Sequence, residues 1–300
     1  MKRRAFLASA LSVPALDFLA GAQAVAQPLE GRERQASLSY VKALQGDDGG
    51  FRSETSAAYS RIGDTTACLR AMRYFGGETP RAEAVSRFVL NCYDAPSGGI
   101  GDRQGDRPDI RSTSLGLMSM VELRMSDESR SREIVRFLSG AEKPDEIYIA
   151  AAALSSAGID APAAPRWIEK WEAKKAGDGG YGSVADTAGA AITILRLGGL
   201  ARGREGILRS LLAAQAGDGG WSAPGSPTSD LATVYRVVRA IWMLDGYPDL
   251  DQLHRFIDRC RNADGGYGAK PGATSSAGPT YNAAIVIHWS SQLGRRHARA

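Results

Sequence analysis

Histidine and cysteine each occur only three times in the 300-residue chain. Cys68, Cys92 and Cys260 are scattered along almost its whole length with no C-x-x-C spacing. That excludes a dense disulfide framework and gives no ligand set for a structural zinc. The expectation is three buried thiols, with a Cys68 to Cys92 bridge as the pairing that neighbouring helices would allow. Long apolar runs are also missing. The stretch near the start is interrupted by Pro14 and Asp17 and is too short to cross a bilayer. Charge is nearly balanced, at a formal +4. Much of the basic excess sits at the two ends, in Lys2-Arg3-Arg4 and Arg295-Arg296-His297-Ala298-Arg299. Without a basic stripe carrying base-reading or stacking groups, a nucleic-acid partner is not expected. With 43% hydrophobic and 23% charged residues, what is present suffices for one substantial core.

The first residues read as an address. Paired arginines precede the apolar stretch Ala5-Phe6-Leu7, and small-residue cleavage sites follow at Ala22-Gln23-Ala24 and Ala24-Val25-Ala26. This resembles a twin-arginine signal peptide over residues 1–26, which implies a mature chain from Gln27 in the periplasm or outside the cell.

The organising feature is a repeat. Asp48-Gly49-Gly50-Phe51, Asp178-Gly179-Gly180-Tyr181, Asp218-Gly219-Gly220-Trp221 and Asp264-Gly265-Gly266-Tyr267 are near-identical, and Ser97-Gly98-Gly99-Ile100 is a weaker copy. The interval from Gly98 to Gly179 is about twice that from Gly179 to Gly219, which places a degenerate unit near Gly140 to Asp145 and gives about six units. Before the tetrads run charged amphipathic segments, such as Arg81 to Tyr93, Glu205 to Gln215 and Leu250 to Cys260. After them come segments with far less charge, starting near Asp64, Asp109, Glu146, Asp186, Asp230 and Pro279. Charged helices suit an outer ring, and helices rich in Ala, Gly and Ser suit an inner ring where backbones crowd. Repeats of this kind bury their faces only against one another. The expected fold is all-α, an α/α toroid of about six helical hairpins over residues 27–294, with a basic tail at 295–300.

Two stretches carry a family resemblance. Arg259-Cys260-Arg261-Asn262-Ala263-Asp264-Gly265-Gly266-Tyr267-Gly268-Ala269-Lys270-Pro271-Gly272, followed by Ser276-Ala277-Gly278-Pro279-Thr280-Tyr281, resembles a repeat of protein prenyltransferase β subunits. Phe88 to Arg103, continuing to Asp109 and Thr113, resembles another. From about Leu38 to the end, the chain resembles the prenyltransferase and squalene-oxidase repeat family, which includes the terpene cyclases. That resemblance implies an isoprenoid substrate and, in the protein prenyltransferases, a zinc held by an Asp-x-Cys pair and a distant His. Here Asp64-Thr65-Thr66, Asp186-Thr187-Ala188 and Asp230-Leu231-Ala232 put Thr or Ala where that Cys stands, and Ser112 matches the His. No zinc cofactor is therefore expected. Ser276 stands where the family has a diphosphate-binding His, and the cyclase acid cluster has no better match than Asp249-Leu250-Asp251.

Candidate ligand contacts follow from this mapping. Arg103, Arg107, Arg111 and Lys270 fall in loops expected at one mouth of the toroid, where they would hold an anionic head group. Tyr281, with Tyr148, Tyr235 and Trp242, is expected to line an apolar cavity for an isoprenoid or lipid-like small molecule. Asp64, Asp109, Asp186 and Asp230 open inner helices; they read as helix caps or as weak candidates for catalytic carboxylates. Three readings follow: an exported prenyltransferase-like toroid that binds or transfers an isoprenoid, a noncatalytic scaffold for a periplasmic protein partner, and a carboxylate-based enzyme acting on a glycan.

Overall fold

The computed structural model describes residues 31–298, apart from residues 126, 178 and 200–202. The signal peptide expected over residues 1–26 lies outside the described residues. Among the described residues, twelve helices alternate between two layers. The outer ones are α1 (Gly31–Ala43), α3 (Ala82–Asn91), α5 (Glu128–Leu138), α7 (Ala164–Glu172), α9 (Arg204–Ala213) and α11 (Leu250–Cys260). The inner ones are α2 (Ile62–Tyr74), α4 (Ile110–Glu122), α6 (Pro144–Ala157), α8 (Val184–Arg196), α10 (Leu231–Met243) and α12 (Ala277–His297). Each inner helix packs on the inner helices before and after it, and α12 packs on α2, so six hairpins close into a toroid. The degenerate unit is α5 with α6, joined across Gly140 to Lys143.

The two layers follow from composition. Outer α11 buries Leu250, Leu253, Phe256, Ile257 and Cys260, a stripe at three- and four-residue spacing. Inner α8 is covered on all sides, with every residue from Thr187 to Ile194 buried, and its alanines and glycine allow close approach of neighbouring backbones. The tetrads lock one hairpin to the next. Asp218 accepts from the Gly220 amide (3.0 Å) and the Ser229 hydroxyl (2.7 Å), and Asp48 and Asp264 make the same pair of bonds. The residue ending each turn is buried: Phe51, Ile100, Trp221 and Tyr267 have no exposure. The amides of Phe51, Ile100, Tyr181 and Tyr267 donate to the hydroxyls of Thr65, Thr113, Thr187 and Thr280 at the start of the following inner helix.

The ring's seam uses the same parts. Gly265, at φ +87°, lies against the backbone of Ala36 in α1. Its carbonyl accepts from the Ser37 hydroxyl at 2.7 Å, and Arg261 pairs with Glu33 at 3.3 Å. Loops after the tetrads reach back over the preceding inner helix: Ile62 donates to Asp102 O, Leu231 to Ala269 O, and Ala277 of the last unit to Ser53 O of the first. The starts of these inner helices therefore gather at one mouth and their ends at the other.

Cys68, Cys92 and Cys260 are the three buried free thiols expected, and the allowed Cys68 to Cys92 bridge does not form. One expectation is corrected. The basic end is no separate tail, because α12 runs on to His297 and Arg296 pairs with Asp245 at 3.1 Å while lying over the Trp242 ring. Among the described residues, no helix is long and apolar enough to cross a membrane.

Candidate functional site

Inner-helix side chains that point away from the outer layer meet at the axis. Tyr148 (α6), Tyr235 (α10), Tyr281 and Trp289 (α12), Tyr74 (α2) and Trp242 (α10) form an aromatic wall. Tyr235 stands 5.7 Å from Tyr281 and 5.6 Å from Trp289 between ring centroids, and Trp242 stacks on Trp289 at 6.3 Å. Tyr74 packs on the His288 ring at 5.1 Å. The Trp242 indole donates to Gln292 at 2.7 Å, so the polar end of that ring is satisfied. Tyr74, Tyr235, Trp242 and Tyr281 are only partly buried although they line the inside of the ring.

Between the aromatics lie four arginines. The Arg236 guanidinium sits 4.8 Å from the Tyr148 ring, and Arg239 sits 4.7 Å from Trp289 and 4.9 Å from Trp242. Arg70 lies 5.4 Å from Tyr281, and Arg196 lies 5.9 Å from Tyr148. A guanidinium over an aromatic face gains favourable electrostatics without losing its charge. The carboxylate paired with this group is Glu122, at the end of α4, which pairs with Arg70 at 3.4 Å and Arg73 at 3.2 Å.

The excess of cations shows in the neighbouring ionisations. Burial pushes the Tyr235 phenol up, but the charges of Arg196 and Arg70 outweigh it and leave its pKa below the usual 10.0. Burial, with the charge of Arg196, pulls Arg239 down to about 10. Tyr281 goes the other way, raised mainly by burial.

The sequence-derived candidates are distributed differently. Tyr281 joins the axial cluster, beside Arg70 and Tyr235 as described. Arg103, Arg107, Arg111 and Lys270 are exposed, and no contact brings them to Tyr281 among the described residues. Arg103 is committed to Asp106 at 3.1 Å. Asp109 caps α4 through the Ser112 amide (2.8 Å) and hydroxyl (2.9 Å). Asp230 caps α10 through the Ala232 and Thr233 amides. Asp186 closes a capping box with Ser183. Asp64 is the exception: burial and the charge of Asp102 raise its pKa to about 6, against the opposing pull of Arg61 and Arg111. Among the described residues, no three His, Cys, Asp or Glu side chains come together as a metal-ligand group.

Asp64 gives a signed prediction. Its folded-state value lies above the ordinary aspartate value of 3.8, so the stability it contributes is complete below about pH 4 and is lost as pH rises through about 6. Asp64→Asn should therefore stabilise the protein by about 1 kcal/mol at pH 7.5, after allowance for solvent screening, and by nothing at pH 4. Urea titrations at the two pH values measure the difference.

Sequence reasoning missed Arg70, Arg196, Arg236, Arg239 and Glu122. A signal existed: α10 reads LATVYRVVRAIWM, in which the only charges are Arg236 and Arg239, on a helix otherwise built for the interior. Tyr235, Arg239 and Trp242 are spaced four and three apart, along one helical face. A shallow polar cleft of about 360 Å³ at the seam carries Glu54 and Asp264 but no cation, and does not resemble the axial cluster.

The fold is similar to that of Candida albicans protein geranylgeranyltransferase-I complexed with GGPP, with a TM-score of 0.66 at 13% identity over 85% of this chain and 90% of that one. It is similar to the type II terpene cyclase MstE from Scytonema, with a TM-score of 0.62 at 11% identity over 88% and 98%. A variant of that cyclase holding its substrate, geranylgeranyl dihydroxybenzoate, matches with a TM-score of 0.62 at 12% identity over 88% and 97%. No curated protein sequence matches the chain. The sequence profile of the prenyltransferase alpha-alpha toroid domain matches residues 8–81, 65–139 and 144–298, and the chain belongs to that family.

Proposed function

We propose that the protein is an exported toroid that binds, or transfers, an isoprenoid or similar lipid-like ligand at the axis of its ring, without a catalytic zinc. The observation that carries this reading is the partly accessible aromatic wall of Tyr74, Tyr235, Tyr281 and Trp242 on the inner helices. Apolar faces with a few fixed polar groups are what a lipid-like chain requires of its site. Two of the solved structures that it resembles hold isoprenoid compounds, GGPP in one and geranylgeranyl dihydroxybenzoate in the other. The absence of zinc is argued from the donor set: Ser112 is hydrogen-bonded to Asp109, and Asp230 is engaged by its own helix. Export is argued from Lys2-Arg3-Arg4 and the small-residue sites after it.

A thermal-shift and native mass-spectrometry screen of the mature chain tests this, using farnesol, geranylgeraniol and their diphosphates, with and without zinc. A ligand that binds only the folded state stabilises it by about 2.7 kcal/mol at a hundredfold excess over its Kd. The expected outcome is a shift with at least one prenyl compound, unchanged by zinc and weakened at least fivefold in Tyr281→Leu. No shift with any compound at millimolar concentration would sink the reading.

A further inference from the structure

The seam carries one hydroxyl more than the repeat needs. At four joints the second glycine of a tetrad lies under an aromatic ring from the next outer helix: Phe88 over Gly50, Phe137 over Gly99, Phe256 over Gly220 and Tyr40 over Gly266. Among these four, the seam alone has a phenol where the others have a phenyl ring. Tyr40 is 7% exposed, and its covered hydroxyl finds no hydrogen-bond partner among the described residues. Phenylalanine would avoid the cost of that unpaired group.

Tyr40 lines the seam cleft of about 360 Å³, which lies between the loops that follow the first and last tetrads. Glu54 and Asp264 give the cleft its charge, and among the described residues no cation lines it. Arg52, the neighbouring cation on the first of these loops, is turned to the Ala57 carbonyl at 3.5 Å. The donors around the cleft are spent within it. The Asn262 amide gives its hydrogens to Ala273 O and the Ser275 hydroxyl, both at 2.9 Å. The Ser275 hydroxyl donates to Asp264 at 2.8 Å and that of Ser56 to Glu54 at 2.9 Å. Acceptor oxygens and negative charge remain. Burial, then the charges of Asp264, Cys68 and Glu54, hold the Tyr40 phenol above its usual range, so both carboxylates of the cleft act on that hydroxyl.

The neighbouring joint is built from matching parts with a different lining. Its cleft is about 170 Å³, with Asp48 and Ser60 in place of Asp264 and Ser275, and Phe88 in place of Tyr40. Arg103 stands where the seam has Glu54: each follows the residue whose carbonyl receives the first amide of an inner helix, Asp102 for Ile62 and Ser53 for Ala277. Tyr59 lies there against Arg61 at 5.0 Å and Arg103 at 4.5 Å. That joint supplies its own cation, and the seam does not.

We propose that the seam cleft is a second binding site, for a primary ammonium group held by the Glu54 and Asp264 carboxylates and the Tyr40 hydroxyl. It is separate from the axis and does not depend on what binds there. The N–H donors of one ammonium match these acceptors, and hydrogen bonds from a cation to carboxylates are of the strong kind. A calcium ion would need about six to eight oxygen ligands, and among the described residues no three His, Cys, Asp or Glu side chains form a ligand group. A free aliphatic amine and a lysine side chain of a partner protein share the ammonium chemistry.

Amide-resolved NMR titrations of the full chain with diaminobutane, an acetylated Gly-Lys-Gly amide, butanediol and calcium chloride test this, in the unmodified chain and in Tyr40→Phe and Glu54→Gln. Tyr40→Phe restores the ring found at the other joints, so it should melt no lower than the unmodified chain. Both amines, and neither butanediol nor calcium, should shift the amides of residues 54–56 and 272–275. Tyr40→Phe should weaken binding about tenfold, as expected for a lost hydrogen bond to a charged group. The exposed Glu54 is worth less, and Glu54→Gln should weaken it about threefold. Tighter binding of diaminobutane assigns the site to a free amine, and tighter binding of the peptide assigns it to a partner's lysine. Equal shifts with butanediol, or shifts with calcium alone, overturn the ammonium assignment, and no shift with any probe at tens of millimolar overturns the site. A Tyr40→Phe chain that melts lower and binds diaminobutane as before overturns the role of the hydroxyl. Should that variant unfold, Glu54→Gln carries the test, and unchanged binding there overturns the proposal.

Discussion

Replacing Gly265 by alanine should cost at least about 3 kcal/mol and loosen the ring at its seam, because two penalties coincide there. The residue sits at φ +87°, and a Cβ would come within 2.5 Å of the Ala36 carbonyl group in α1. That contact is backbone against backbone, so no flexible side chain can give way. Gly179 is the internal control: it has φ +86°, yet a Cβ added there meets nothing within 4 Å among the described residues. Gly179→Ala should therefore lose only the left-handed penalty of about 1 kcal/mol. Urea unfolding of both variants, with hydrogen exchange on α1 and α12, separates the two effects. Equal losses would mean that the seam is not held by this contact, and early exchange confined to α1 and α12 in Gly265→Ala is the expected sign that it is.

The second large effect is expected at Glu122. With only 9% of its side chain exposed, against 10% for Arg70, this is a buried ion pair. Breaking it from one side leaves a charge with no compensation. Glu122→Gln should cost about 3 kcal/mol, whereas the double replacement Arg70→Met/Glu122→Leu should come close to neutral. A double-mutant cycle in urea checks this. If Glu122→Gln costs under about 0.5 kcal/mol, the arginine cluster is far better solvated than its burial indicates.

Much of the fold was legible in the chain, for identifiable reasons. Gly49, Gly219 and Gly265 mark turns because their positive φ is open to glycine at little cost. The contrast between α11 and α8 in charge and side-chain size reveals which layer each helix occupies, because water and a crowded axis select opposite compositions. The seam could also be anticipated in part: a sixth unit with its tetrad intact needs a partner helix, and α1 supplies one. What the tetrad pattern did not disclose was the set of threonines that receive the turn amides. Thr65, Thr113, Thr187 and Thr280 look like ordinary helix-start residues until the folded turn is placed beside them.

The candidate site was legible only in part. Tyr148, Tyr235, Tyr281 and Trp242 were identifiable as inner-helix aromatics, because the helical period places them on one side of helices already assigned to the inner ring. The rim cations drew attention because loops at a mouth are natural places for charge, yet Arg103 spends its charge on Asp106. Of the four aspartates, Asp109, Asp186 and Asp230 act at helix starts, and only Asp64 departs in its ionisation.

Local chemistry is written in neighbouring residues: which segments coil, where they turn and which layer they join depend on interactions a few positions apart, so the sequence by itself determined the six hairpins and their two rings. The meeting of Arg70 from α2, Arg196 from α8 and Arg239 from α10, with Glu122 of α4 paired to Arg70, joins residues far apart in the chain. Their partners are chosen by the radius and closure of the ring, and only the tertiary structure could decide that those charges face one another.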